Sequence, residues 1–267
     1  MKGISLHIGL NAVNPVFYEG WTGRLLACEN DAIAFQKIAT ANGFSTDTLL
    51  TRQATKAAFF AAIADAAKKC QPGDIFFLTN SSHGGQLYDR NGDETDRTDE
   101  TICLYDGMVA DDELNLALCA FQKGVRVLVI SDSCHSGTVT RDAPGPDESV
   151  RSAPADVCRA YSAENPAARP MAALLKAANL RPKASVLLLS ACKDEQVAYD
   201  GATNGLFTGS ILKAWDELRR LPAGDARCTY SELVKRGRAY CSGRQTPVMY
   251  RTGAAPAAFT RQKPFTV

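Results

Sequence analysis

Apolar residues along the chain fall into two kinds of run. The first kind is short, rich in β-branched or aromatic residues, and apolar nearly throughout: Ile4–Leu10, Asp74–Asn80 (DIFFLTN), Val125–Ser131 (VRVLVIS), Ser185–Ala191 (SVLLLSA) and a shorter Thr246–Tyr250, with Ser45–Thr51 a weaker member. Strands covered on both faces have this character. The second kind repeats with helical spacing: Arg24–Asn42, closed by Gly43, then Thr55–Cys70, Asp111–Phe121, Leu206–Arg220 and Tyr230–Ser242. Gly43 reads as a C-cap, and the acids opening Asp111–Phe121 favour a helix N-terminus. Strands alternating with helices predict an α/β fold with a mostly parallel sheet between helical layers.

One stretch breaks the rhythm. Thr138–Pro170 carries Pro144, Pro146, Pro154, Pro166 and Pro170 among small and charged residues and has no clean period. It reads as a flexible linker or processing loop, longer than compact domains usually carry.

Composition excludes more than it assigns. The chain has 267 residues, 45% hydrophobic and 22% charged, with a formal net charge of +1. That is globular material and not a basic nucleic-acid binder. No apolar run reaches membrane-spanning length, and Met1–Leu10 makes a poor signal peptide. Nine cysteines without a C-x-x-C spacing read as reduced thiols of a cytoplasmic protein. The neutral total hides an asymmetry: from Asp89 to Glu113 ten acids face two bases, and from Leu218 to Lys263 ten bases face two acids.

Open α/β sheets place their sites beyond the carboxyl ends of strands. DIFFLTN runs into Ser81-Ser82-His83-Gly84-Gly85, and VRVLVIS into Asp132-Ser133-Cys134-His135-Ser136-Gly137. With those strands adjacent, His83 and Cys134 reach the same edge, the pairing a thiol nucleophile needs. Gly84 allows close backbone approach, so that N–H groups of Gly84 and Cys134 can hold an oxyanion. His135 is a poorer base because neighbours in sequence rarely aim at one point; His7, inside the first strand, is structural. No G-x-S-x-G elbow, G-x-G-x-x-G loop or Walker lysine loop is present, and the three histidines lack zinc-ligand spacing.

S-S-H-G-G followed 51 residues after its His by D-S-C-H-S-G resembles the caspase-fold cysteine peptidases, metacaspases and orthocaspases above all. IGLNAV, Cys28-Glu29-Asn30-Asp31, the acidic D-R-N-G-D-E-T-D-R-T-D-E, S-A-C-K-D-E-Q and R-Q-T-P-V extend the likeness over nearly the whole chain. The resemblance implies a caspase-like three-layer sandwich with about six strands. Residues 1–137 would correspond to the large-subunit region, 138–183 to the linker and 184–267 to the small-subunit region, together one domain. It implies a monomer and an endopeptidase that cuts after Arg or Lys, with Cys134 as nucleophile, His83 as base, and Asp31, Asp132, Ser81 and Cys28 at the pocket for the basic residue. Carboxylates there suit a guanidinium fork.

The resemblance also implies calcium, with Asp96, Asp99, Asp111 and Asp112 as ligands. Here the sequence departs from the family, since the acid expected seven residues after the nucleophile is Arg141. The EF-hand-like spacing from Asp89 is rejected because Gly92 falls at the wrong position. Self-cleavage in the linker would use Arg141, Arg151, Arg159 or Arg169. The alternative reading is a catalytically silent scaffold that has kept the fold for binding.

Overall fold

The computed structural model describes residues 1–88, 98–134, 149–164, 180–193, 196–254 and 256–267. Six strands form the central sheet: β1 (Gly3–Gly9), β2 (Phe44–Leu50), β3 (Ile75–Ser81), β7 (Arg126–Asp132), β8 (Ser185–Ser190) and β9 (Val248–Gly253), ordered β2-β1-β3-β7-β8-β9. All neighbours run parallel except β9, which pairs antiparallel with β8. The runs read from the sequence correspond to these strands within a few residues. A second sheet comprises β4 (Gly84–Tyr88), β5 (Thr98–Leu104) and β6 (Gly107–Ala110), all antiparallel.

The helices are α1 (Cys28–Ala41), α2 (Lys56–Lys69), α3 (Asp111–Leu118), α4 (Ala155–Glu164), α5 (Leu206–Leu218), α6 (Tyr230–Tyr240) and the short α7 (Pro256–Thr260). Alternation along the buried strands sorts the core into two layers. Phe77, Leu128, Ile130, Leu187 and Leu189 face α1, α5 and α6; Phe76, Leu78, Val127, Val129 and Val186 face α2 and α3. The expected three-layer sandwich follows from this period of two. A smaller cluster joins Val13, Tyr18, Leu87, Cys103 and Met108 to Ala153, Val157 and Cys158.

The linker expectation is corrected at its centre. Residues 149–153 run through the strand-end edge of the sheet, and α4 follows directly after Pro154. The physical reason is burial: Arg151 is wholly buried, and Val157 and Cys158 anchor α4. Residues 135–148 and 165–179, including Arg141 and Arg169, lie outside the described residues.

An aromatic knot around Phe265 pins the C-terminal segment to β3, α5 and α6: Phe265 is fully buried and lies 5.3 Å from Phe77, 5.1 Å from Trp215 and 6.0 Å from Tyr230, centroid to centroid. Phe265→Ala is therefore expected to lower stability by about 3–5 kcal/mol, the range for large-to-small core changes. A urea melt with an unchanged midpoint would show that the knot is dispensable.

Candidate active site

Parallel register sets the geometry of the edge. Ser81 of β3 lies opposite Asp132 of β7, so His83 and Cys134 each follow a registered pair by two residues. Gly84 then turns into β4. A Cβ on Gly84 would stand 2.1 Å from the Cys134 carbonyl oxygen, so only glycine lets the two loops close on each other.

Backbone groups of these loops hold one atom between them. The Gly84 and Cys134 amides both donate to the carbonyl oxygen of Arg151, at 2.9 and 3.1 Å. The expected oxyanion donors thus converge, and the oxygen they hold belongs to the chain itself. Residues 149–153 are extended and clamped on both sides. The Arg151 amide donates to the Ala198 carbonyl (2.9 Å), the Asp200 amide to the Ser149 carbonyl (2.8 Å), and the Ala153 amide to the Gly84 carbonyl (2.7 Å). This is the backbone pairing by which an extended peptide is added to a sheet edge.

The Arg151 side chain fills the predicted pocket. Its Nη2 lies 2.7 Å from Asp31 Oδ2 and 2.9 Å from Asp200 Oδ1; its Nη1 lies 3.0 Å from Asp132 Oδ2 and donates to Ser81 Oγ (2.7 Å) and the Asp132 carbonyl (3.1 Å). The carboxylates are themselves held. Asp31 Oδ1 accepts from Asn204 and the Gly205 amide, Asp132 Oδ2 from the Thr208 amide and hydroxyl, and Asp200 Oδ2 from the Leu26 amide. Gly205 forms the flat wall: a Cβ there would meet the guanidinium at 2.6 Å. Cys28 lies beneath, near Ser81, and burial pushes its thiol up to about 12. Burial likewise raises the Asp31 carboxyl to about 6, with Arg151 pulling it down and Asp132 pushing it up.

His83 is buried against Trp21, ring centroids 4.7 Å apart, with Nε2 3.2 Å from the Gly23 carbonyl. A carbonyl accepts only, so Nε2 carries the hydrogen and Nδ1 keeps its lone pair. Nδ1 is buried without a hydrogen-bond partner among the described residues. Burial lowers the imidazole to about 4, only partly offset by the backbones of Gly23 and Ser152, so the ring is neutral near pH 7. Gly23 has φ +50, and a Cβ there would crowd both Trp21 and His83. The Cys134 thiol points to the Gln196 carbonyl at 3.0 Å, and Cys192 reaches the same oxygen at 3.3 Å. A hydrogen bond to Cys134, and burial after it, keep Cys192 protonated.

Sequence reasoning placed Asp31, Asp132, Ser81, Cys28, Gly84, His83 and Cys134 at one edge, and all meet there. It missed Asp200, Gly205 and the Trp21–Gly23 support of His83, none of which carries a motif, and it gave no role to Cys192 and Gln196, although both lie in the quoted S-A-C-K-D-E-Q. Among the four linker arginines, Arg151 is held in the pocket, not exposed as expected. Arg159 is exposed but lies within α4, where helical backbone cannot enter an extended cleft.

The calcium expectation gains no support from this donor set. Asp96 is outside the described residues, and only the backbone of Asp99 is described. Asp111 and Asp112 open α3, where Glu113 reaches back to the Ala110 amide and acids suit the free N–H groups. No group of three metal-ligating side chains occurs among the described residues. His7, buried between Ser5 and Thr79, is structural as expected.

A thiol and an imidazole at strand ends of a three-layer α/β sandwich, beside an acidic pocket, define a class, and comparison agrees with it. The model of the caspase domain of the C14 peptidases matches residues 8–257, so the chain belongs to the caspase-domain family. A crystal structure of a protein from Geobacter sulfurreducens superposes with a TM-score of 0.85 at 43% identity, covering 100% of this chain and 99% of that one. Metacaspase-1A of Aspergillus fumigatus is 31% identical over 249 residues, 88% of this chain and 52% of that protein. Metacaspase-1 of Kluyveromyces lactis is 28% identical over 284 residues, 91% and 64%. The chain spans about one to two thirds of the length of these and other curated metacaspases. Among the described residues no helix is long and apolar enough to cross a membrane.

If the pocket holds Arg151 as described, trypsin cannot reach it. In a Cys134→Ala background, trypsin is expected to spare the Arg151–Ser152 bond and to cut it once Gly205→Ala closes the pocket. Equal cutting in both would show that the pocket does not bury this arginine.

Proposed function

We propose that the chain is a cysteine endopeptidase that cuts after arginine, more weakly after lysine, and that its first substrate is its own Arg151–Ser152 bond. One observation carries the reading: Arg151 lies across the site as a substrate would, guanidinium among three carboxylates and carbonyl oxygen on two amides beside Cys134 and His83.

The chemistry needs only groups already described. The Cys134 thiol turns from the Gln196 carbonyl and gives its proton to His83 Nδ1. The sulfur then adds to the Arg151 carbonyl carbon. Negative charge develops on the oxygen already held by the Gly84 and Cys134 amides, the arrangement that lowers such barriers most. The imidazolium protonates the Ser152 nitrogen as the C–N bond breaks. Water, deprotonated by His83, resolves the thioester. Arginine is favoured over lysine because Asp31, Asp132, Asp200 and Ser81 surround two separate Nη atoms, and Gly205 flattens one wall for a planar group.

An Arg-ended fluorogenic peptide is expected to be cut by wild type and not by Cys134→Ala, with Lys second and Asp ignored. Cleavage of an Asp-ended peptide in preference would sink the specificity, and cleavage by Cys134→Ala would sink the mechanism. N-terminal sequencing of incubated wild type should find Ser152 as a new amino terminus.

The pH dependence separates pocket from base. Asp31 titrates near 6 with Arg151 in place, and arginine favours its ionised form, so by linkage protonation weakens arginine binding. Without arginine the carboxyl titrates higher, so KM for the Arg peptide is expected to rise as pH falls toward about 6. His83, lowered to about 4, stays neutral through that range, so kcat should hold. A fall in kcat at unchanged KM near pH 6 would contradict both assignments.

A further inference from the structure

Resting on that reading, we propose that the cut does not release the strand behind it. Ser152 stays at the site, and its new α-amine accepts acyl groups from Cys134, so the enzyme joins substrate arginines to its own Ser152 as well as hydrolysing them.

The two sides of the bond are held differently. Before the bond, Ser149–Arg151 is held by backbone pairing to Ala198 and Asp200 and by the charge cluster. A foreign peptide ending in arginine remakes every one of those contacts, so exchange on this side costs little. After the bond, the hold is specific to this chain. The Ala153 amide donates to the Gly84 carbonyl, and Ala153 is buried with Val157 and Cys158 against Val13, Leu87, Cys103 and Met108. Tyr161 stacks on the buried Tyr18 at 6.1 Å and reaches the Met108 carbonyl with its hydroxyl. A foreign leaving group needs only the position Ser152 vacates; a chain running further along this side turns away from the apolar face that Ala153 and α4 keep covered. Cutting Arg151–Ser152 breaks none of these contacts.

The amine of Ser152 therefore stays tethered, through Ala153 and α4, within reach of the position the leaving nitrogen held beside His83: it yields that position while a substrate's leaving group departs and re-enters it afterwards. When a substrate arginine is esterified to the Cys134 sulfur, that amine attacks the thioester carbon. The C–S bond breaks, a C–N bond forms, and the amine proton passes through His83 Nδ1 to the sulfur, with no other reactant needed. An amine held in place competes with water through its effective concentration, on the order of 10⁵ M or more for well-oriented groups. With an ordinary α-amine pKa of about 8, a useful fraction is unprotonated near neutrality.

The test uses wild-type enzyme that has cut itself, given fluorescein-labelled Ser-Val-Arg-aminomethylcoumarin. Coumarin release reports acylation of Cys134. The expected result is fluorescein on the denatured fragment that begins at Ser152, resistant to hydroxylamine as an amide is and a thioester is not, with the label located on Ser152 by fragment mass spectrometry. Coumarin release with an unlabelled Ser152 fragment would overturn this inference and leave the peptidase reading intact. Absence of both coumarin release and self-cleavage would bring down both. Val157→Asp, which loosens α4, is expected to cut label per coumarin released at least tenfold; an unchanged ratio would place the acceptor elsewhere and overturn the inference.

Discussion

One buried cation organises this molecule. Arg151 is fully enclosed, and three carboxylates from α1, β7 and the segment after β8 converge on its guanidinium. Ions are removed from water at a cost of several kcal/mol each unless partners replace the lost hydration. That requirement explains the second ring around the pocket: Asn204, Gly205, Thr208 and Leu26 all donate to carboxylate oxygens. It also explains why residues far apart in sequence meet here. Four separate parts of the chain must be in place before the cation has its three carboxylate partners.

Electrostatics of the pocket and electrostatics of the reaction are coupled through a single peptide. The same residue that satisfies the carboxylates presents its carbonyl to two amides, so occupation of the pocket positions the bond. The supports are backbone groups of strand ends and glycine turns, which neither titrate nor rotate. His83 is held in the same way, by a carbonyl and an indole face. A neutral buried imidazole suits it to accept a proton from a thiol, a role an imidazolium could not begin.

Much of this was legible in the chain. The central strands are legible because they are buried on both faces, and strand-end placement alone brings His83 and Cys134 together. What was hidden shared one physical cause: local signals overridden by tertiary packing. Strands β5 and β6 lie in the acidic stretch, where Asp99 and Glu100 interrupt any apolar alternation in β5. Helix α4 sits among prolines that read as linker, yet the Pro154 carbonyl accepts its first helical hydrogen bond, from the Cys158 amide. Asp200 has no motif, since its role comes from the antiparallel approach of 198–200 to 149–151. Arg151 was named, but as an exposed basic residue, because nothing in sequence distinguishes a solvated arginine from one inside its own site.

The registered pair Ser81–Asp132 has a consequence for how such a chain can vary over generations. The connections between the elements that separate the two strand ends can lengthen or shorten, because the chain returns to the sheet at β7 whatever their length. The two residues that follow each registered position cannot. An insertion of one residue between Ser81 and His83, or between Asp132 and Cys134, would turn a side chain to the opposite face of its strand and separate thiol from imidazole. Diversification is thus channelled into the loops, with the reacting pair inherited as two short fixed intervals counted from the sheet.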